Sequence, residues 1–275
     1  MERATRVDGL KVRYLEQGDG AAVLLLHGAS LGSSADVWTR NLPALAAHRL
    51  RVVAPDLPGF GATDNPEDFS LAYRKRFVLS FMDALGIERA SLLGHSQSGR
   101  VALELAFSHP QRVAKVVVLG TGSLLPPLPE KETGADGEEG QLTEPTLDET
   151  RALLEGNLYD RSLITPEALE LRHRMSVGKN FAAFLARRNA PRDKAEKGGE
   201  PPWRRVAKCP VPLLLLYGEQ DRGQAARRAT LARELNPGLD LRLLPNCAHL
   251  VQWDAADAFA DLAGRFIALP TRISF

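Results

Sequence analysis

The 275-residue chain predicts one α/β domain: a doubly wound, mostly parallel sheet that carries a helical insertion. Three observations lead there. Short, almost continuous apolar runs recur along the chain, as strands buried on both faces of a sheet require. Stretches of helical spacing separate them, and strands alternating with helices build right-handed crossover units. The alternation then fails between residues 124 and 205 and resumes at Val211.

The elements follow in order. Arg6–Val7 and Lys11–Leu15 flank Asp8-Gly9, a hairpin signal. Buried-strand runs come at Ala22–Leu26, Arg51–Ala54, Ala90–Leu93, Val113–Leu119, Val211–Tyr217 and Leu239–Leu244. Helix patterns between them cover Ala35–Ala47, Leu71–Leu85, Gln97–Ser108, Gln224–Leu235 and Ala255–Ala268, with Gly86 and Gly238 positioned to end two of them. Leu124–Pro129 (LLPPLP) is rich in proline, and the acidic, polar Glu130–Pro145 predicts a mobile loop. Helical patterns follow at Thr146–Leu158, Pro166–Met175 and Asn180–Asn189, and Pro191–Pro202 is a second polar breaker. Residues 1–123 and 206–275 therefore read as the core and 124–205 as a helical lid insertion; no internal repeat is present.

Composition narrows the partners. Lys plus Arg (35) nearly cancels Asp plus Glu (34), and a net charge of +1 gives no reason to expect nucleic acid or an anionic membrane. The first residues, MERATRVDGL, lack the apolar core of a secretory signal, and no apolar run is long enough to span a bilayer. The expectation is a cytoplasmic protein with a small-molecule substrate. Cys209 and Cys247 form no metal-ligand spacing, and no cofactor or metal is expected. The oligomeric state is left open, a homo-oligomer included.

The most informative segment is Ala90–Leu105, ASLLGHSQSGRVALEL. An apolar strand runs into Gly94-His95-Ser96-Gln97-Ser98-Gly99 and a helix follows at once. A nucleophilic serine on such a sharp turn needs small neighbours, because they pack against adjacent elements. The pattern is G-x-S-x-S-G, with Ser98 where a glycine is usual. A serine so placed works with an acid and then a histidine later in the chain. After Ser96 the histidines are His109, His173 and His249. His109 reads as a helix C-terminal cap and His173 falls in the insertion. His249 follows the last strand, in LPNCAHLVQWD, where a base can reach the serine. The acid should follow the preceding strand, in LLLLYGEQDR; Asp221 is the choice and Glu219 the competitor. After an apolar strand, His27-Gly28-Ala29-Ser30 matches an oxyanion loop, with the backbone amides of Ala29 and Gln97 as donors and residue 30 as the alternative for the first. His27 reads as an anchor of that loop. Asp56-Leu57-Pro58-Gly59-Phe60-Gly61 reads as a structural turn beside the site.

Taken in order, HGAS, DLPGFGATDNP, GHSQSG, GEQDR and NCAHLVQWD resemble the α/β-hydrolase fold over most of the chain. Asn157–Thr165 (NLYDRSLIT), with Glu167 and Arg172, is similar to the lid of the meta-cleavage-product hydrolases, which cut a carbon–carbon bond in 2-hydroxy-6-oxo-dienoates. His249–Asp254 (HLVQWD) resembles their H-x-x-Q-W-E segment. By position, the resemblance implies that Arg172 binds the substrate's carboxylate and enol end, that Trp253 walls the same pocket, and that His95 and Gly28 lie on the substrate site. Two departures stand out. Ser30–Asp36 (SLGSSAD) replaces the family's Gly-Pro-Gly stretch, and His95 stands where the family usually has Asn. Both leave a carboxylesterase or lactonase working through an acyl-enzyme as the alternative. Arg172 as a solvated lid arginine and Trp253 as core packing are the plainer readings. A serine at 96 disfavours the members that use a carboxylate nucleophile, and the complete triad disfavours a catalytically silent binding module.

Overall fold

The computed structural model describes residues 1–129, 143–190 and 199–269. Most of the loop predicted at Glu130–Pro145, and residues 191–198 of the second polar stretch, lie outside them. The eight described strands are β1 (Glu2–Val7), β2 (Leu10–Gln17), β3 (Ala21–Leu26), β4 (Leu50–Pro55), β5 (Ala90–His95), β6 (Val113–Leu119), β7 (Leu213–Gly218) and β8 (Asp240–Leu244). They form one sheet in the order β1-β2-β4-β3-β5-β6-β7-β8. β1, β2 and β4 pair antiparallel, and from β4 onward all neighbours are parallel. Asp8 and Gly9 make the first turn with φ of 47° and 86°, as an Asp-Gly hairpin demands.

The continuous apolar runs work because both sheet faces are covered. Along β3, Leu24 and Leu26 join one core cluster while Val23 and Leu25 join the other; along β6, Val116 and Val118 alternate in the same way with Val117 and Leu119. α2 (Leu71–Ala84), α3 (Gln97–Ser108) and α8 (Ala225–Leu235) cover the first face with Phe77, Phe81, Leu103 and Ala229. α1 (Leu42–Ala46) and α10 (Ala256–Ala268), which follows the short α9 (Val251–Asp254), cover the second with Leu45, Phe259 and Ala263.

Two expectations need correction. No single helix spans Ala35–Ala47; a short 3₁₀ turn at Ala35–Trp38 precedes α1. Inside a continuous helix Pro43 would leave the carbonyl of Thr39 without a donor and crowd it, whereas at the second position of α1 its missing N–H costs nothing. Gly86 does follow α2 with φ of 63°, but Gly238 does not end α8. That helix stops at Leu235, capped through Asn236, before Pro237.

The segment after β6 carries α4 (Leu147–Glu155), α5 (Pro166–Arg174) and α6 (Lys179–Asn189), then the short α7 (Pro202–Arg205). Two of these helices start at a signal visible in the chain: Thr146 forms a capping box with Glu149, and Thr165 caps α5 ahead of Pro166. Leu154, Leu158, Ile164 and Leu169 bury themselves in the second core cluster. No helix among the described residues is long and apolar enough to cross a membrane.

Candidate active site

The parallel strands end at one edge of the sheet, and the loops there carry the candidate residues. β5 passes directly into α3 at Ser96, whose φ of 54° and ψ of −125° lie where non-glycine residues are strained. Neighbours hold it there. The Ser96 amide donates to the Leu119 carbonyl at 2.7 Å, and its own carbonyl accepts from Thr121 Oγ1 at 2.5 Å. The departure at Ser98 has a structural explanation. Its side chain is buried, and Oγ donates to the His27 carbonyl at 2.5 Å, tying the nucleophile turn to the oxyanion strand.

His249, on the loop after β8, faces Asp221 on the loop after β7. Asp221 Oδ1 accepts from His249 Nδ1 at 2.9 Å, and both side chains are buried. That bond puts the ring proton on Nδ1 and leaves Nε2 as the basic nitrogen. Gly120 lets the pair close up: a Cβ there would stand 3.2 Å from His249 Nδ1 and 3.3 Å from Asp221 Oδ2. The competing Glu219 is exposed. Gln220 clamps the two loops together, its amide donating to the Cys247 carbonyl and its Oε1 accepting from the Cys247 amide.

His27 is fully buried and anchors the candidate oxyanion loop. The Leu57 amide donates to His27 Nε2 at 3.0 Å, so Nδ1 carries the proton and donates to the Gly28 carbonyl at 2.8 Å. Burial pushes its pKa down to about 4, so the ring is neutral. A carbonyl and the N–H that follows it point in opposite directions across one peptide plane. Fixing the Gly28 carbonyl therefore orients the Ala29 N–H. No acceptor among the described residues engages the amides of Ala29 or Gln97.

Gly28 permits a close approach: a Cβ there would lie 2.9 Å from His95 Nδ1 and 3.2 Å from Ser96 Cβ. His95 is buried, and its Nε2 donates to the His249 carbonyl at 3.0 Å while the two rings stand 4.8 Å apart. Burial, then the neighbouring His249, holds its pKa well below the ordinary value. His95 thus braces the base loop, and Nδ1 is left as an acceptor.

Arg172, on α5, is buried; Nη2 donates to Ser30 Oγ at 2.8 Å, and among the described residues Nε has no partner and no carboxylate pairs with the guanidinium. Burial pushes its pKa down to about 10. Arg172 shares a cavity of about 240 Å³ with Trp253, Gly32 and Arg40. Trp253 Nε1 donates to the Val37 carbonyl, and the Arg40 guanidinium lies 5.1 Å over the indole. Ser96 opens on a different hollow of about 340 Å³, with Gln97, Arg74, Arg100 and Thr121.

Three further residues support the site, and of these only Arg187 carried no sequence signal of its own. Asp254 accepts from the amides of Ala248, Tyr159 and Asp160, joining the base loop to the NLYD segment, and the Leu250 amide donates to the Asn157 carbonyl. Arg187, on α6, donates to the Ala29 carbonyl at 3.0 Å. Asp56, fully buried, accepts from the amides of Ala35 and Ala62 and pairs with Arg13, which makes its loop structural as expected. His173 accepts or donates to Thr150 Oγ1 between α5 and α4, away from the triad. His109 caps the C-terminus of α3. Among the described residues no cluster of three or more His, Cys, Asp or Glu could hold a metal.

A strained serine between a parallel strand and a helix, a buried His–Asp pair and two unused amides define a class. The chain belongs to the alpha/beta hydrolase family, whose family model matches residues 23–262, and it is a hydrolase. Its relatives lie among hydrolases of aromatic ring-cleavage products. It is 31% identical over 264 residues to the 2-hydroxymuconate semialdehyde hydrolase of Pseudomonas sp. (strain CF600), covering 94% of this chain and 91% of that one. It is 31% identical over 277 residues to the 2-hydroxy-6-oxo-6-phenylhexa-2,4-dienoate hydrolase of Burkholderia cepacia, covering 95% and 93%. The solved 2-hydroxy-6-oxo-6-phenylhexa-2,4-dienoate hydrolase of Rhodococcus sp. strain RHA1 matches with a TM-score of 0.80 at 26% identity, covering 98% of this chain and 99% of that one.

Proposed function

We propose that the enzyme is a serine hydrolase that cleaves a carbon–carbon bond in a 2-hydroxy-6-oxo-dienoate. Ser96 is the nucleophile, His249 the base and Asp221 the group that orients and stabilises the imidazolium. His249 helps to move the substrate from its dienol to its keto form. Water or the Ser96 hydroxyl then adds to the ketone, and the amides of Ala29 and Gln97 hold the resulting oxyanion. Arg172, with Trp253 beside it, holds the carboxylate and enol end.

The observation that carries this reading is Arg172. A guanidinium kept dry without an acid partner is costly unless a ligand completes it, and a planar 2-hydroxy acid fits its bidentate fork. The helical segment within 124–205 serves as the lid over the site; support among its described residues comes from the bonds that Arg172 and Arg187 make to Ser30 and Ala29, and from the ties of residues 157–160 to the base loop. We assign the enzyme to the cytoplasm, in keeping with its two free cysteines.

The test is a substrate panel with wild type and Ser96→Ala. Wild type should consume a 2-hydroxy-6-oxo-dienoate, followed by loss of its visible absorbance, and Ser96→Ala should lose about 10³-fold or more in kcat. Turnover of p-nitrophenyl esters or lactones with no turnover of any dienoate would replace this reading by the esterase or lactonase.

A further inference from the structure

Ala29 is held from two sides. The carbonyl before it, of Gly28, accepts from His27 Nδ1, and its own carbonyl accepts from Arg187 Nη2 at 3.0 Å. The peptide groups flanking the residue are therefore both fixed, one by the sheet core and one by α6. The two supports also meet. The rings of Phe60 and His27 pack edge to face at 4.9 Å, and the Arg187 guanidinium lies 4.4 Å over Phe60. Phe184, three residues back on α6, places its ring 5.7 Å from the same guanidinium. Arg172 adds a tie one residue further on, at Ser30 Oγ.

Arg187 brings a charge as well as a hydrogen bond. Among the described residues no carboxylate pairs with it, and its buried Nη1 makes no hydrogen bond. Burial, reinforced by the charge of Arg74, lowers its pKa to about 10, so the group stays charged at neutral pH. With Ala29 and Gln97 it lines a cavity of about 30 Å³ whose walls are mainly apolar, Leu26, Leu57, Phe69 and Phe77 among them. Asp68, the carboxylate on that wall, accepts from the amide and hydroxyl of Ser70. A cation in a dry, apolar wall acts on an anion over a longer range than it does in water. The negative charge that the reaction creates beside Ala29 is the oxyanion.

We infer that Arg187 is a positioning residue of the oxyanion hole: it grips the Ala29 carbonyl from α6, so that the Ala29 amide is aimed at the reacting oxygen, and its charge steadies the anion which that amide receives. This rests on the reading of Ser96 as nucleophile and of the Ala29 and Gln97 amides as its donors, and on no particular substrate. α6 then does more than cover the site. The oxyanion hole is complete only with that helix docked, because one of the two supports of Ala29 comes from it.

The experiment compares inhibition by a neutral alkyl trifluoromethyl ketone and by the matching methyl ketone. Ser96 Oγ adds to the trifluoromethyl ketone, its proton passes to His249 Nε2, and the carbonyl oxygen becomes an anion at the Ala29 and Gln97 amides. The methyl ketone is too weakly electrophilic to add and reports binding alone. Wild type should prefer the trifluoromethyl ketone, and Arg187→Met should cut that preference roughly 10–100-fold, below the loss of a donor itself. Arg187→Lys, which keeps the charge and a donor, should restore most of it. On p-nitrophenyl butyrate, kcat should fall in parallel with KM little changed. The preference is a ratio within one preparation, so an unfolded fraction does not alter it. A preference unchanged in Arg187→Met, an equal loss on both ketones, or a rise in KM alone overturns the proposal and leaves Arg187 a packing residue. A wild type without the preference overturns it together with the oxyanion assignment, and dienoate turnover beside that result keeps the carbon–carbon reading. Loss of the preference in Arg187→Met without any dienoate turnover keeps this proposal and removes that reading.

Discussion

Arg172→Met should make the protein more stable and the enzyme worse. The guanidinium is buried, touches Ser30 Oγ through one nitrogen and leaves Nε unpaired. The depression of its pKa from 12.5 to about 10 comes from burial and corresponds to roughly 3 kcal/mol spent on keeping the charge dry. Methionine keeps most of the aliphatic stem and removes that cost. The lost bond to Ser30 returns about 1 kcal/mol, which leaves a net gain of about 2 kcal/mol. For a chain of this size the gain is a Tm rise of roughly 5 °C. The substrate acid loses its partner, so kcat/KM for a dienoate should fall by roughly 2–5 kcal/mol, or 30-fold to several thousandfold. A neutral p-nitrophenyl ester gives Arg172 nothing to hold and should lose far less. Thermal unfolding and the two rate constants decide the matter together. A lower Tm with equal losses on acid and ester would refute the reasoning and make Arg172 a packing residue.

The remaining outcomes concern the triad, the oxyanion loop and the lid. Asp221→Asn should cost about 10³–10⁴-fold in kcat by disturbing the His249 tautomer, whereas Glu219→Gln, on an exposed side chain, should stay within about threefold; the reverse order would reassign the acid. His27 is neutral in the fold at a pKa of about 4 and protonates near 6.5 when unfolded. The unfolded chain thus binds more protons between those values, so this residue alone should cost up to about 3 kcal/mol of stability as pH falls from 6.5 to 4. Urea unfolding at pH 7 and 5 should show a shallower pH slope in His27→Asn than in wild type; equal slopes would reject the assignment. Asp254→Ala removes the acceptor of three amides and should destabilise by about 2 kcal/mol while raising KM more than it lowers kcat. An unchanged KM would detach the NLYD segment from substrate binding.

Much of the architecture was legible in the chain because it depends on local pattern. Each strand from β3 to β7 is a mostly apolar run flanked by turn residues, and burial on both faces leaves little room for polar alternation; β8, at the sheet edge, exposes Arg242. The turn at Ser96 was legible for the same reason, since small residues must sit where a strand folds straight into a helix. Chain order narrowed the base to His249. Pro43 shows the limit even of local reading: the apolar spacing of Ala35–Ala47 suits a helix, and one ring divides it.

The rest depends on groups far apart in the chain, and the tertiary structure alone decides it. The sequence favours Asp221 but leaves Glu219 as a competitor; the curl of the loop after β7 turns Asp221 toward His249, 28 residues on, and Glu219 to solvent. Ser98 looked like a weakened motif, yet its hydroxyl binds the carbonyl of His27, 71 residues away. The charge of an arginine is visible in any sequence, but its dryness is not. Whether Arg172 and Arg187 meet an acid or only a hydroxyl, a carbonyl and a cavity follows from what the folded chain packs around them.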